Sequence, residues 1–247
     1  LSRLLDTDRR SASIITKVGI RWEKGSGSRA NTYKDSRPSY IRSAIEKSRS
    51  RLDLDTIPVC LIHWPDQHTK IIDTLKCLEN LKNEKKIKEF GLSNFCPRVV
   101  EHLKNDFDIS FYQGPLNFIN LREVEPKYKS LHDKGVHIMT YGPLAHGFFS
   151  GKYKQGHIFE TNDRRHRIHE FSKDNFTKYY VLNGFLNQIG RSLGISQSQV
   201  VLATLKSYLP WLSIIVGVKN SKQAKELINI RDFEIPKTLV DEIVKHI

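Results

Sequence analysis

The chain is poor in cysteine, in acidic side chains and in long apolar runs, and each shortage excludes something. Three cysteines in 247 residues, Cys60, Cys77 and Cys96, are odd in number and lack metal-site spacing. They argue against a disulfide framework or a zinc module and for a reducing, cytoplasmic setting. No apolar run approaches the roughly 20 residues of a membrane span. Residues 1–10 are charged and lack the apolar core of a signal peptide. Acids number 27 against 40 Lys and Arg, giving a net charge of +13 and a pI near 9.6. That excess would suit nucleic acid, but it is dispersed through 82–88, 164–167 and 219–225 with acids between. No recognition-helix, zinc-finger or base-stacking motif accompanies it. A phosphate-bearing small ligand or a solvated surface is the better reading, and neither a nucleic-acid nor a membrane partner is expected.

Ordinary globular content remains, with 38% hydrophobic and 27% charged residues and no linker or composition break. One domain over 1–247 is expected. Strand and helix patterns alternate along it. Short β-branched or apolar runs fall at 13–17, 56–63, 87–92, 109–113, 136–141 and 213–216. Helical spacing falls at 38–52, 71–81, 99–103, 123–134, 176–193, 196–209 and 221–228, with a last helix opened by Pro236. Pro38 suits a first helical turn, and Ser196 and Ser221 suit N-caps. Residues 142–153 form a Gly- and aromatic-rich loop. Residues 157–173 form a long basic loop without period, of the kind that is usually functional. Six strands, each followed by helix or loop, imply a parallel α/β sheet. Periodicity leaves a doubly wound sheet and a barrel both open.

Several strands end in polar residues, among them Lys17, His63 and the Ser93-Asn94 pair, which suits an α/β barrel whose chemistry sits at the C-terminal strand ends. Six motifs stand in order: TKVG at 16–19, IHWPD at 62–66, IKEFGLSNF at 87–95, YQGPLN at 112–117, YGPLAHGFFSGKY at 141–153 and IIVGVKNSKQ at 214–223. Each is weak alone; together they resemble the aldo-keto reductases. The resemblance implies a (β/α)8 TIM barrel, with strands three to eight represented here and the first two missing or not shown, and residues 1–10 as the end of the helix after strand two. It implies hydride transfer to an aldehyde or ketone from NADPH, with NADH the alternative cofactor. That family binds the cofactor without a GxGxxG fingerprint, so the lack of one here is neutral.

Residue by residue, Lys17 resembles the lysine that lowers the pKa of the tyrosine proton donor, since a phenol near 10 is too weak an acid unaided. His63 resembles the histidine that orients the carbonyl, with Trp64 beside it on the substrate side. Ser93, Asn94 and Gln113 resemble the residues that hold the nicotinamide carboxamide, although Ser93-Asn94 could equally be a helix N-cap. Tyr141 resembles the aromatic stacked under the nicotinamide. Leu144 and Gly147 fall in the pyrophosphate loop. Gly217, Lys219, Ser221 and Gln223 resemble the segment that meets the 2′-phosphate and adenine, Lys219 favouring NADPH. Gly142, Val216 and Leu227 depart from residues frequent in the family (Ser, Pro and Asn). On this alignment the family's Asp and Tyr acid fall before Leu1. Tyr33 and Tyr40 are the substitutes within reach of the loop after Lys17. His166 and His169 share a spacing that could suggest a metal, but no acid or cysteine supports one. A non-catalytic NADP(H)-binding regulatory protein, like the β subunits of voltage-gated potassium channels, is the alternative function. A phosphosugar or nucleic-acid binder ranks behind both.

Overall fold

The computed structural model describes residues 13–23, 31–154 and 156–247, so the helix expected over 1–10 lies outside the described residues. Two compact units emerge. The first runs to Gly114 and includes Lys127–Ile138; the second comprises Pro115–Pro126 and Met139–Ile247.

The first unit is built on four parallel strands, in the order β1 (Ile15–Val18), β4 (Ile57–Ile62), β5 (Ile87–Ser93) and β6 (Phe111–Pro115). β4 is apolar throughout and almost wholly buried, as a strand covered on both faces must be. Its register places Lys17 opposite Leu61 and Val18 opposite Ile62, then Ile62 opposite Leu92. Ser93 lies opposite Gln113 on the next pair. Parallel pairing needs crossovers, supplied by α1 (Pro38–Leu52), α2 (Ile71–Asn83) and α3 (Pro97–Leu103). Pro38 sits in the first turn of α1, whose Ile41 and Ile45 are fully buried. α2 buries Leu75, Leu78 and Leu81, one apolar stripe at helical spacing. Thr74 donates to the Ser36 carbonyl at 2.8 Å and so ties α2 to the start of α1.

The loop expected between Lys17 and Pro38 contains a hairpin instead, β2 (Ile20–Glu23) and β3 (Asn31–Lys34), antiparallel. Four-residue strands around Gly25 and Gly27 are too short for a convincing alternation, although that glycine pair was the available signal. Two bonds fix the hairpin's base. The Asp35 N–H donates to Gly19 O at 3.0 Å, and the Tyr40 hydroxyl donates to Ile20 O at 2.8 Å.

The second unit gathers aromatic rings. Phe148 meets Phe149, Phe171, Phe176 and Tyr179 at centroid distances of 5.0, 5.7, 4.9 and 6.3 Å. The helix expected over 176–193 is therefore broken. α5 (Lys173–Lys178) and α6 (Tyr180–Leu193) meet at Tyr179, whose φ of −101° and ψ of 15° leave the helical range and seat its ring in this cluster. α7 (Gln197–Tyr208) opens with the Ser196–Gln199 capping box. The buried Gln197 amide donates to Asn183 Oδ1 at 2.8 Å and to Phe149 O at 3.2 Å. The basic stretch 157–173 is organised by two short 3-10 turns, Arg164–Arg167 and His169–Phe171. β8 (Leu212–Ile215), α8 (Ser221–Ile228) and α9 (Lys237–Lys245) complete the unit. α4 (Leu121–Asp133) and β7 (His137–Tyr141) each begin in one unit and end in the other. No helix among the described residues is long and apolar enough to cross a membrane.

Candidate active site

In the first unit, parallel register brings four strand ends level. The His63 N–H donates to Val18 O at 2.9 Å, and the Asn94 N–H donates to Gln113 O at 3.0 Å. Lys17, His63, Ser93 and Gln113 thus stand on consecutive strands at one end of the sheet. Lys17 is exposed as a residue, yet enough protein surrounds its ammonium that desolvation lowers its pKa. Burial also lowers the pKa of His63, and the charge of Lys17 adds to the effect. His63 is therefore neutral at pH 7, able to donate one ring N–H to a carbonyl oxygen.

Asn94 is not a helix N-cap. That position belongs to Cys96, and Asn94 adopts φ 64°. Its amide donates to the His63 carbonyl at 2.8 Å and to Ser93 Oγ at 3.1 Å. The left-handed turn thus locks the strand end that carries His63 to the one that carries Ser93. Asn tolerates this conformation better than most residues. Replacing Asn94 with Ala combines a left-handed penalty with the loss of a partly buried hydrogen bond, and should destabilise the fold by about 2 kcal/mol. Asn94→Gly should recover the conformational part. Denaturant midpoints of the two variants check this, and equal losses would refute the division.

Ser93 and Gln113 are buried. Among the described residues, no hydrogen bond involves the Gln113 side chain. Its amide atoms are not among the buried polar atoms left without a partner, so they reach the surface, where Gln113 can offer them to a polar ligand such as a carboxamide. Asp66, beyond His63, holds the adjoining loop. Burial alone would raise its pKa, but the Ser36 and His68 N–H groups, each at 2.9 Å, and the Thr69 hydroxyl at 2.8 Å keep it low. The sequence carried Asp66 only as part of a motif. Tyr40 spends its proton on Ile20 O and has its pKa raised by burial. It is a poor substitute acid. Tyr33 lies on β3, half-exposed, opposite Arg21.

In the second unit, Tyr141 ends β7 half-buried, with its pKa raised by burial. Leu144 opens a tight 3-10 turn, its carbonyl accepting from Gly147 N at 2.9 Å. Ala145, His146 and Gly147 all have positive φ, at 45°, 56° and 97°. Strain of this kind gathers at ligand-binding segments. Tyr153 packs on this turn, because a Cβ at Gly147 would approach its ring to 3.2 Å. Arg165 lies over the rings of Tyr153 and Phe159 and pairs with Asp163. The carboxyl of Asp163 is held well below its usual range, chiefly by Arg165, and Lys219 contributes. Lys219 and the basic stretch are therefore electrostatic neighbours. His166 directs its Nδ1 at the Asp163 carbonyl, and no group of three or more metal-ligating side chains occurs among the described residues. Asn220, not Ser221, caps α8, accepting from Gln223 N at 2.9 Å. Ser221 is the first helical residue. The Gln223 side chain turns back to accept from Lys219 N at 2.8 Å, so Lys219, Ser221 and Gln223 form one closed turn beyond Gly217.

The sequence pattern described as Aldo/keto reductase family matches residues 1–247. The chain belongs to this family. An aldo-keto reductase of Strobilurus tenacellus is 29% identical over 211 residues, covering 84% of this chain and 63% of that protein. One from Schizosaccharomyces pombe, named for NADP(+), is 25% identical over 238 residues, covering 95% and 69%. The chain thus spans less than two thirds of the Strobilurus reductase. Among solved structures, a glycerol dehydrogenase of Gluconobacter oxydans superposes with a TM-score of 0.81 at 26% identity, covering 96% of this chain and 73% of that one. The fold class is that of the aldo-keto reductase α/β barrels.

Proposed function

We propose that the protein reduces an aldehyde or ketone to an alcohol with NADPH, in the cytoplasm, as one aldo-keto reductase domain. The observation that carries this reading is the alignment of Lys17, His63, Ser93 and Gln113 at consecutive strand ends of the first unit. When bound, the cofactor supplies hydride. The chain's own residues position and polarise. Ser93, Asn94 and Gln113 hold the carboxamide and so choose the ring face, and Tyr141 stacks beneath the ring. Leu144 and Gly147 line the pyrophosphate. Neutral His63 donates a hydrogen bond to the carbonyl oxygen, Trp64 borders the substrate, and the Lys17 ammonium favours the anionic form of a phenol donor. The Gln113 amide, which reaches the surface and makes no hydrogen bond among the described residues, supports the fit to a carboxamide.

Gly217, Lys219, Ser221 and Gln223 would receive the adenosine end, where α8 offers backbone N–H groups to an anion. Lys219→Gln should cut the preference for NADPH over NADH about tenfold, the scale of one charge-assisted contact. Titrating both cofactors by nicotinamide fluorescence checks it, and an unchanged ratio would remove Lys219 from the phosphate site. Loss of nicotinamide absorbance with a panel of aldehydes and ketones tests the activity itself. Cofactor binding without turnover of any carbonyl would count against it.

A further inference from the structure

The hairpin β2–β3 follows β1 directly and is pinned at its base by the Asp35–Gly19 and Tyr40–Ile20 bonds. Its register pairs Ile20 with Lys34 and Trp22 with Thr32. Side chains alternate faces along a strand, so Ile20, Trp22, Thr32 and Lys34 share one face, and Arg21, Glu23, Asn31 and Tyr33 the other. The first face is the one turned to the candidate site, because the Lys34 ammonium lies over the Trp64 ring at 5.6 Å. Trp64 in turn neighbours His63, with ring centroids 6.4 Å apart. A single indole therefore separates a cation from the histidine proposed to hold the carbonyl.

The charges on this hairpin are unevenly settled. Arg21 pairs with Glu23 at 2.6 Å, and Arg37 at the foot pairs with Asp35 at 2.7 Å. Lys34 has no carboxylate partner among the described residues, its contact being with the indole face. Trp22, diagonal to Lys34 on the same face, is 69% exposed and Trp64 is 40% exposed. Two open indoles flanking an unpaired ammonium make a surface that accepts a flat ring bearing a negative charge.

Resting on the reductase reading above, we propose that Lys34, with Trp22 and Trp64, selects aromatic carbonyl substrates that carry a carboxylate. The carboxylate pairs with Lys34 while the ring lies along the indoles and the carbonyl reaches His63. Substrate recognition then falls partly to a hairpin with no catalytic role.

The test compares kcat/KM for 4-carboxybenzaldehyde and benzaldehyde. The protein should favour the carboxylate. Lys34→Met should lower that ratio three- to tenfold through KM, Lys34→Arg should keep it, and Lys34→Glu should invert it. Added salt should weaken the preference, since the pair is partly exposed. An unchanged ratio in Lys34→Met and Lys34→Glu would overturn the proposal. If neither aldehyde is reduced but other carbonyls of the panel are, the proposal is overturned; if no carbonyl is reduced by the protein as found, the reductase reading fails on its own. Benzoate, which cannot react, then tests Lys34 separately. It should perturb tryptophan fluorescence in the wild type at lower concentration than in Lys34→Met, whereas benzyl alcohol should not distinguish them. Equal benzoate responses would refute the site.

Discussion

Replacing Lys17 with Met should lower kcat/KM for carbonyl reduction by at least about 100-fold, the usual range for removing a positioned acid–base contribution, and leave NADPH affinity nearly unchanged. The reason lies in where β1 puts the charge. Lys17 is opposite Leu61 in the sheet, two residues from His63, and acts electrostatically on that histidine. Its ammonium is partly desolvated, which lowers its own pKa and lets its charge act more strongly than it would in bulk water. A phenol donor beside such a charge becomes a stronger acid. Without it, the donor's pKa returns toward 10 and the proton is given up reluctantly. Two further readouts separate this from simple misfolding. In Lys17→Met, the His63 pKa should rise, because burial and the Lys17 charge are what depress it and only burial remains; NMR titration of the imidazole would show it. The alkaline limb of the pH–rate profile should shift as well. Wild-type turnover by Lys17→Met would exclude the lysine from the chemistry.

The second large effect concerns folding. Gly91 lies in β5 opposite Phe111 of β6. A Cβ built there would stand 2.1 Å from the Phe111 carbonyl oxygen and 2.7 Å from its carbon. Backbone atoms cannot step aside as a flexible side chain can, so the two strands would have to separate. Gly91→Ala is therefore expected to cost more than about 3 kcal/mol, beyond the ordinary range for overpacking. At roughly 2–4 °C per kcal/mol for a chain of this size, the melting temperature should fall by about 6 °C or more. Thermal unfolding followed by circular dichroism measures it. Because Ser93 and Gln113 sit two residues along from this contact, any folded Gly91→Ala protein should also bind cofactor poorly. A variant with unaltered melting would mean that the β5–β6 spacing is wrong.

Much of this architecture was legible in the residues. The helix over 38–52 and the start of the one at 71 fall where the apolar spacing and Pro38 put them, since burying one stripe of a helix leaves a 3.6-residue signature. The buried runs at β4 and β5 were equally plain. Other features left little or no local trace. The hairpin's strands are too short to build a period. The break at Tyr179 preserves apolar spacing on both sides, and its cause is ring packing with Phe148 and Phe149. Ser221 and Asn220 are both good caps in the sequence, and backbone geometry selected Asn220. Ser93-Asn94 reads as a helix start, while the helix actually begins after Cys96.

By itself the sequence determined the alternation of buried strands with amphipathic helices, the motifs that place the chain in its family, and which strand ends carry Lys17, His63, Ser93 and Gln113. These follow from local patterning, because the side chains that must be buried recur at the period of their own element. The tertiary structure alone decided how those ends are joined. Asn94 reaches the His63 carbonyl across 31 residues of sequence, Lys34 settles on Trp64 rather than on an acid, and Gln113 is buried as a residue while its amide, without a hydrogen bond among the described residues, reaches the surface. Such relations depend on strand register and on which polar groups the fold leaves unsatisfied, and neither is a property of any short stretch of chain.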